Sequence, residues 1–131
     1  MGTKRVIIAD ESQILLEGIR SLLETVFESV VMVADVRSLT DVAGRIGADL
    51  AVVDLTIGGK DLAGTIRGIK ERLPGIKVLV MSSHDEGAAL KKAVSAGAEG
   101  YILKRLAATD LIPAVTAILG GGTFASNLQN G

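Results

Sequence analysis

Leu50-Ala51-Val52-Val53-Asp54 decides how this chain is read. It is a short apolar run, half of it β-branched, that ends on a carboxylate. Three more runs are built alike: Arg5–Ala9 before Asp10-Glu11, Lys77–Met81 before Ser82, and Gly100–Leu103 before Lys104. Runs that are apolar throughout suit strands covered on both faces of a parallel sheet. In such sheets ligands bind in the crevice beyond the carboxyl ends of the strands. Residues that follow the strands converge there, however far apart in sequence. Three carboxylates, a hydroxyl and a lysine would then share one edge.

Working outward, helical patterns fill the gaps between the runs. Ile14, Leu15, Ile19, Leu22, Leu23 and Val26 form one stripe, predicting a helix from about Ser12 to Phe27. A strand is expected over Val30–Val36, and Ser38-x-x-Asp41 resembles a capping box opening a short helix that Gly47 closes. Leu62, Ile66, Ile69 and Leu73 predict a third helix, stopped by Pro74-Gly75. A fourth runs from about Glu86 to Ala96 and ends on Gly97; a fifth covers roughly Thr109–Leu119, with Pro113 near its first turn. Strand five is short and carries the polar-tipped Tyr101, so it reads as an edge.

Alternating strands and helices imply a parallel sheet with right-handed crossovers and helices on both faces. The expected fold is α/β: a flavodoxin-like (βα)5 three-layer sandwich whose five-stranded parallel sheet has the order 2-1-3-4-5. Residues 1–122 form this domain; residues 123–131 show no periodicity and read as a linker or tail.

Composition agrees. At 131 residues one domain with a real core is expected, and with 48% hydrophobic but 2% aromatic residues, small aliphatics must fill it. Fourteen basic and fifteen acidic side chains give a net charge of −1, and Lys91-Lys92 and Lys104-Arg105 are pairs, not a stripe. Direct nucleic-acid binding is not expected. The lack of cysteine excludes disulfides and thiolate metal sites. No apolar stretch approaches the ~18 residues of a membrane span, and MGTKR leads straight into a strand without a signal-peptide core. A cytoplasmic protein without membrane partners is the expectation.

The converging residues have a definite chemistry. Three neighbouring carboxylates repel one another unless a cation intervenes. Mg²⁺ is hard, seeks oxygen, and is held by one or two carboxylates plus phosphate oxygens. Lys104 would supply a point charge for a phosphoryl group, and Ser82 a hydroxyl. A carboxylate can itself be the nucleophile and form an aspartyl phosphate. Asp54 is the best candidate, because its strand is central and the following TIGGK loop lets backbone approach.

These residues resemble the receiver family of response regulators over roughly residues 4–120. The resemblance rests on Asp10-Glu11, on Asp54 in LAVVDLTIGG, on Ser82 in KVLVMSSHD, and on AVSAGAEGYILK ending at Lys104. GYILK without a following proline and the helix exit ILGGGTFAS are most similar to the NarL/FixJ class of transcription regulators. The resemblance implies that Asp54 accepts a phosphoryl group from a sensor histidine kinase. It implies that Asp10, Glu11, Asp54 and the Thr56 carbonyl hold Mg²⁺, that Lys104 binds the phosphoryl group, and that Ser82 and Tyr101 are the switch pair. A homodimer through the helix 4, strand 5 and helix 5 face is expected, as is an output domain outside this chain or a stand-alone regulator. The chemistry would be slow and self-catalysed, not that of a metabolic enzyme. Arg105 and Gly58 stand where many receivers have proline, and Glu11 where a second aspartate is more frequent.

Blander readings compete. Asp10 and Glu11 favour a helix N-terminus through its dipole, Ser82 can be a turn residue with Ser83 as rival, and His84 an exposed loop residue. A receiver-like interaction module that is never phosphorylated is the structural alternative. Other motifs fail. Gly59-Lys60 lacks the first glycine and the Ser/Thr of a P-loop, having Asp54 and Asp61 there, and Gly120-x-Gly122 follows a helix, not a strand. A haloacid-dehalogenase-type phosphatase needs a second aspartate where Thr56 stands, and a cobalamin module needs a histidine in the first loop.

Overall fold

The computed structural model describes residues 4–10, 17–57, 61–83 and 87–126. In chain order these form β1 (Arg5–Ala9), α1 (Glu17–Leu23), β2 (Ser29–Val33), α2 (Val36–Ile46), β3 (Leu50–Asp54), α3 (Leu62–Arg72) and β4 (Lys77–Ser82). Then follow α4 (Gly87–Ser95), β5 (Gly100–Leu103), a 3₁₀ turn (Lys104–Leu106), α5 (Ala107–Leu119) and β6 (Phe124–Ala125). The sheet is parallel throughout, in the order β2-β1-β3-β4-β5-β6. The expected topology holds, with one correction: among the described residues the sheet has six strands, not five.

Strand alternation sorts the core into two layers. Ile7, Ala51, Val53, Val78, Val80 and Tyr101 face α2, α3 and α4, whereas Val6, Ile8, Val52, Leu79, Met81 and Ile102 face α1 and α5. This is why the runs are apolar at every position. Full burial of one such aliphatic side chain is worth about 1.5–3 kcal/mol. Asp54 pairs in register with Met81, and Ser82 with Leu103. Asp54, Ser82 and Lys104, one residue beyond Leu103, thus lie along one sheet edge.

Several boundaries move for local reasons. The first helix ends at Leu23, not Phe27, because the Thr25 and Val26 amides tighten onto the carbonyls of Leu22 and Leu23. Strand two stops at Val33. Asp35, not Ser38, caps α2: its carboxylate accepts the Ser38 N–H at 2.8 Å. Gly47 closes that helix at φ 66°, a left-handed conformation suited to glycine. Pro113 lies in the second turn of α5, since that helix begins at Ala107, so the Thr109 carbonyl lacks its usual i+4 donor.

The largest departure concerns the segment after α5. Expected as part of a linker, Phe124–Ala125 pairs in parallel with Gly100–Tyr101. The Phe124 amide donates to the Glu99 carbonyl at 3.1 Å and the Ser126 amide to the Tyr101 carbonyl at 2.9 Å. β5 is therefore not an edge. Tyr101 is 1% exposed, and its ring belongs to the core layer that includes Ala89 and Ala93 of α4.

Candidate functional site

The site is built at the ends of β1, β3 and β5, with β4 lying between the last two. Asp10 follows β1, and its amide extends the ladder to the Val33 carbonyl at 3.1 Å. Asp54 is the last residue of β3, and Lys104 follows β5. All three are drawn from the buried end of the sheet: Asp10 is 2% and Asp54 5% exposed.

Lys104 Nζ joins them. It lies 2.8 Å from Asp10 Oδ2 and 2.6 Å from Asp54 Oδ1. The other Asp54 oxygen, Oδ2, accepts the Thr56 amide at 3.1 Å and also the Thr56 hydroxyl. Burial pushes the Asp54 carboxyl up, but hydrogen bonds from Lys104 and Thr56, with the lysine charge, outweigh it and hold it below the ordinary carboxylate value. Burial likewise pulls the Lys104 ammonium down, yet its bonds to Asp10 and Asp54 leave it above the ordinary lysine value. At neutral pH the ionised form of Asp54 is therefore the resident one.

The remaining expected residues fall in three groups. Ser82 ends β4, wholly buried, one register position below Lys104. Tyr101 lies three residues before Lys104 on β5, already inside the core; the expected edge position of its strand is corrected because β6 flanks it. Glu11, Gly58 and His84 lie outside the described residues. Thr56 is the residue that sequence reasoning used incompletely. Besides the carbonyl expected of it, its N–H and hydroxyl grip Asp54. The Asp-x-Thr spacing is the available signal, since an aspartate often accepts from the backbone two residues on.

A mouth beside the site is apolar. A groove of about 520 Å³ is lined by Gly18, Ile19 and Leu22 of α1 with Lys104, Ala107 and Ala108. A cation fits the donor set. Two buried carboxylates converge on one ammonium, all donors are hard oxygens, and the Thr56 segment passes within hydrogen-bonding distance of Asp54. Asp10 and Asp54 are the described carboxylates able to hold it. Among the described residues no helix is long and apolar enough to cross a membrane.

Comparison with known proteins agrees with this geometry. Residues 6–116 match the family model described as the response regulator receiver domain. The transcriptional regulatory protein DegU of Brevibacillus brevis is 30% identical over 122 residues, covering 92% of this chain and 52% of that protein. This chain thus spans about half the length of that relative. Among solved structures, RcsB of Salmonella enterica serovar Typhimurium, bound to promoter P1flhDC with the phosphomimetic BeF3-, superposes with TM-score 0.81 at 31% identity, covering 93% of this chain and 62% of that one. The signal receiver domain of the putative response regulator NarL from Mycobacterium tuberculosis gives TM-score 0.80 at 27% identity, covering 92% and 99%. With a matched model over most of its length and the acidic edge that its strands assemble, this chain belongs to the response-regulator receiver family.

Proposed function

We propose that this receiver is a phosphorylation-operated switch in which Asp54 takes a phosphoryl group from a sensor histidine kinase. The observation that carries the reading is the sharing of Lys104 Nζ between Asp10 and Asp54 at a buried sheet edge. Two carboxylates over one ammonium leave excess negative charge at a place where strands and not flexible side chains fix the spacing. Mg²⁺, held by Asp10, Glu11, Asp54 and the Thr56 carbonyl, would neutralise charge on the transferring phosphoryl oxygens.

The transfer itself balances simply. An Asp54 carboxylate oxygen attacks phosphorus, a P–O bond forms, and the P–N bond of the kinase phosphohistidine breaks. Its electron pair returns to the imidazole nitrogen. Thr56 holds the second carboxylate oxygen and so orients the nucleophile, and Lys104 binds the phosphoryl oxygens. Hydrolysis then resets the switch slowly; no metabolic substrate is turned over.

The new group brings nearly two negative charges and three acceptors, enough to draw the Ser82 hydroxyl. Since Tyr101 is already inside, the change at β5 is in how its ring is held, not in its entry. The affected face is α4, β5 and α5, where a homodimer would form or rearrange. The named relatives are transcription regulators, one of them solved on a promoter with a phosphomimetic. We therefore assign a transcriptional output in the cytoplasm, carried by a domain other than this one.

Incubation with Mg²⁺ and acetyl phosphate should add one phosphoryl group to the protein, read by intact mass, and none to Asp54→Asn. Undiminished labelling of that variant would move the acceptor elsewhere. No labelling of the wild type would leave the non-phosphorylated interaction module as the reading.

A further inference from the structure

Lys104 reaches the two carboxylates from the end of β5, so whatever fixes that end fixes the lysine. Leu103 is the last β5 residue, and its amide donates to the Ser126 hydroxyl at 3.1 Å. In a continuing parallel ladder this amide would bond a carbonyl of the neighbouring strand. β6 ends at Ala125, and the Ser126 side chain takes the carbonyl's place. That hydroxyl in turn donates to Asp110 Oδ2 of α5 at 2.7 Å. Ser126 is 4% exposed, and its own amide bonds Tyr101 at 2.9 Å. One serine therefore grips β5 on both sides of Ile102, at the aromatic Tyr101 and at Leu103 beside the lysine.

A hydroxyl that both accepts and donates inside a protein is oriented by its acceptor. Asp110 sits in the first turn of α5, four residues beyond the turn that carries Lys104, Arg105 and Leu106. The chain Asp110–Ser126–Leu103 thus closes a loop around the Lys104 turn. Their influence on Asp10 and Asp54 runs through β5 and the lysine at its end.

We propose that Ser126, oriented by Asp110, is a positioning residue that couples the segment after α5 to Lys104 and Tyr101. The placement of Lys104 and the seating of residues 124–126 are then one equilibrium. This rests on the phosphoryl-site reading above for its consequence: by linkage, whatever the site gains from a seated Ser126, the segment gains from an occupied site. Occupying the site tightens the segment, and pulling the segment away weakens the site.

The test has a ligand-free arm and a ligand arm, both on the full chain. In the ligand-free arm, NMR follows the Lys104 methylene beside the ammonium. Its signal should shift or broaden in Ser126→Ala and Asp110→Ala, and return in Ser126→Thr, which keeps the hydroxyl. In the ligand arm, Mg²⁺ with beryllofluoride serves as the phosphoryl mimic. One lost hydrogen bond predicts an affinity loss of about fivefold in Ser126→Ala, restored in Ser126→Thr. Val30→Ala, on the far strand β2, controls for general destabilisation and should keep wild-type affinity. Reciprocally, the mimic should slow hydrogen exchange at the Leu103 and Ser126 amides of the wild type. Unchanged exchange while the mimic binds, or equal losses in Ser126→Ala and Val30→Ala, would overturn the coupling. Should the mimic fail to bind the wild type, the phosphoryl-site reading falls. The Lys104 signal then decides the positioning role alone: unmoved in Ser126→Ala, it overturns that role too.

Discussion

The two ends of the sheet use the same residue types to opposite effect. At the amino end, Glu99 accepts the Val78 amide at 2.8 Å and the Lys70 ammonium at 2.5 Å. Lys70 also donates to the Ile76 carbonyl at 3.1 Å, and Asp49 accepts the Arg5 amide at 2.8 Å. Each of these two carboxylates meets a backbone donor and a cation of its own, Lys70 for Glu99 and, at 4.0 Å, the exposed Lys4 for Asp49. At the carboxyl end, Asp10 and Asp54 divide one ammonium between them. The first arrangement is saturated and ties α3 to β4 and β5. The second keeps negative charge in hand. On the function proposed above, the same sheet carries a stability end and a ligand end, and substitutions should behave differently at each.

The largest stability loss should come at the amino end. Glu99→Ala strands the Val78 amide and leaves the Lys70 ammonium without its carboxylate, which should cost about 2–4 kcal/mol. Urea unfolding should show it at equal magnitude with and without Mg²⁺. A loss that depended on Mg²⁺ would erase the distinction between the two ends. Somewhat smaller is the effect of Gly100→Ala. A Cβ there would come 2.6 Å from Ile118 Cδ1 and 2.7 Å from Leu79 Cδ1, both wholly buried. Overpacking of this kind costs about 1–3 kcal/mol, and the thermal midpoint should fall without a change in acetyl phosphate labelling of Asp54.

How much of this was legible beforehand follows the same division. β1, β3, β4 and β5 could be read because two-sided burial makes each an unbroken apolar run, and the polar residue after each run marked the site. Asp54, Asp10 and Lys104 were placed together by topology alone. β6 was not legible: two residues carry no periodicity, and pairing to β5 comes from tertiary context. Missing it also misplaced Tyr101 at an edge. The Asp110–Ser126 pair was hidden because its members are 16 residues apart on elements of different type. The Asp35 cap was missed because Ser38-x-x-Asp41 offered a competing signature, and Val36 looked like strand by its branching.

At the ligand end the expected sign changes. Asp10→Asn removes one of two carboxylates from Lys104 but leaves the Asp54 pair intact, so repulsion is relieved as one charge-assisted bond weakens. Stability without Mg²⁺ should stay within about 1 kcal/mol of wild type, and the circular dichroism spectrum should be unchanged. Mg²⁺ affinity, read by calorimetry, should fall at least about tenfold, since ionised oxygen ligands set that affinity. Wild-type affinity in this variant would remove Asp10 from the metal site. A loss comparable to that of Glu99→Ala would show that both ends serve stability alike.

The smallest effect is in the acid limb of stability. The Asp54 carboxyl is held below its ordinary value: burial opposes ionisation, and the bonds from Lys104 and Thr56 with the lysine charge prevail. A carboxyl whose folded value is depressed binds fewer protons folded than unfolded. Its stabilisation is complete above the unfolded value, about 3.9 for aspartate, and is lost as pH falls through the folded one. Asp54→Asn cannot titrate, so its stability should fall less steeply with acid over that window than the wild type's. Lys104 works at the other limit. Burial opposes its charge, but Asp10 and Asp54 raise it, so its contribution is complete below about 10.4 and lost as pH rises through the folded value. Urea midpoints in Mg²⁺-free buffer, followed from neutral into acid, test the first. If Asp54→Asn and wild type lose stability in parallel there, Asp54 is not held in its ionised form by the lysine it faces, and the charge sharing that distinguishes this end of the sheet contributes nothing to its acid stability.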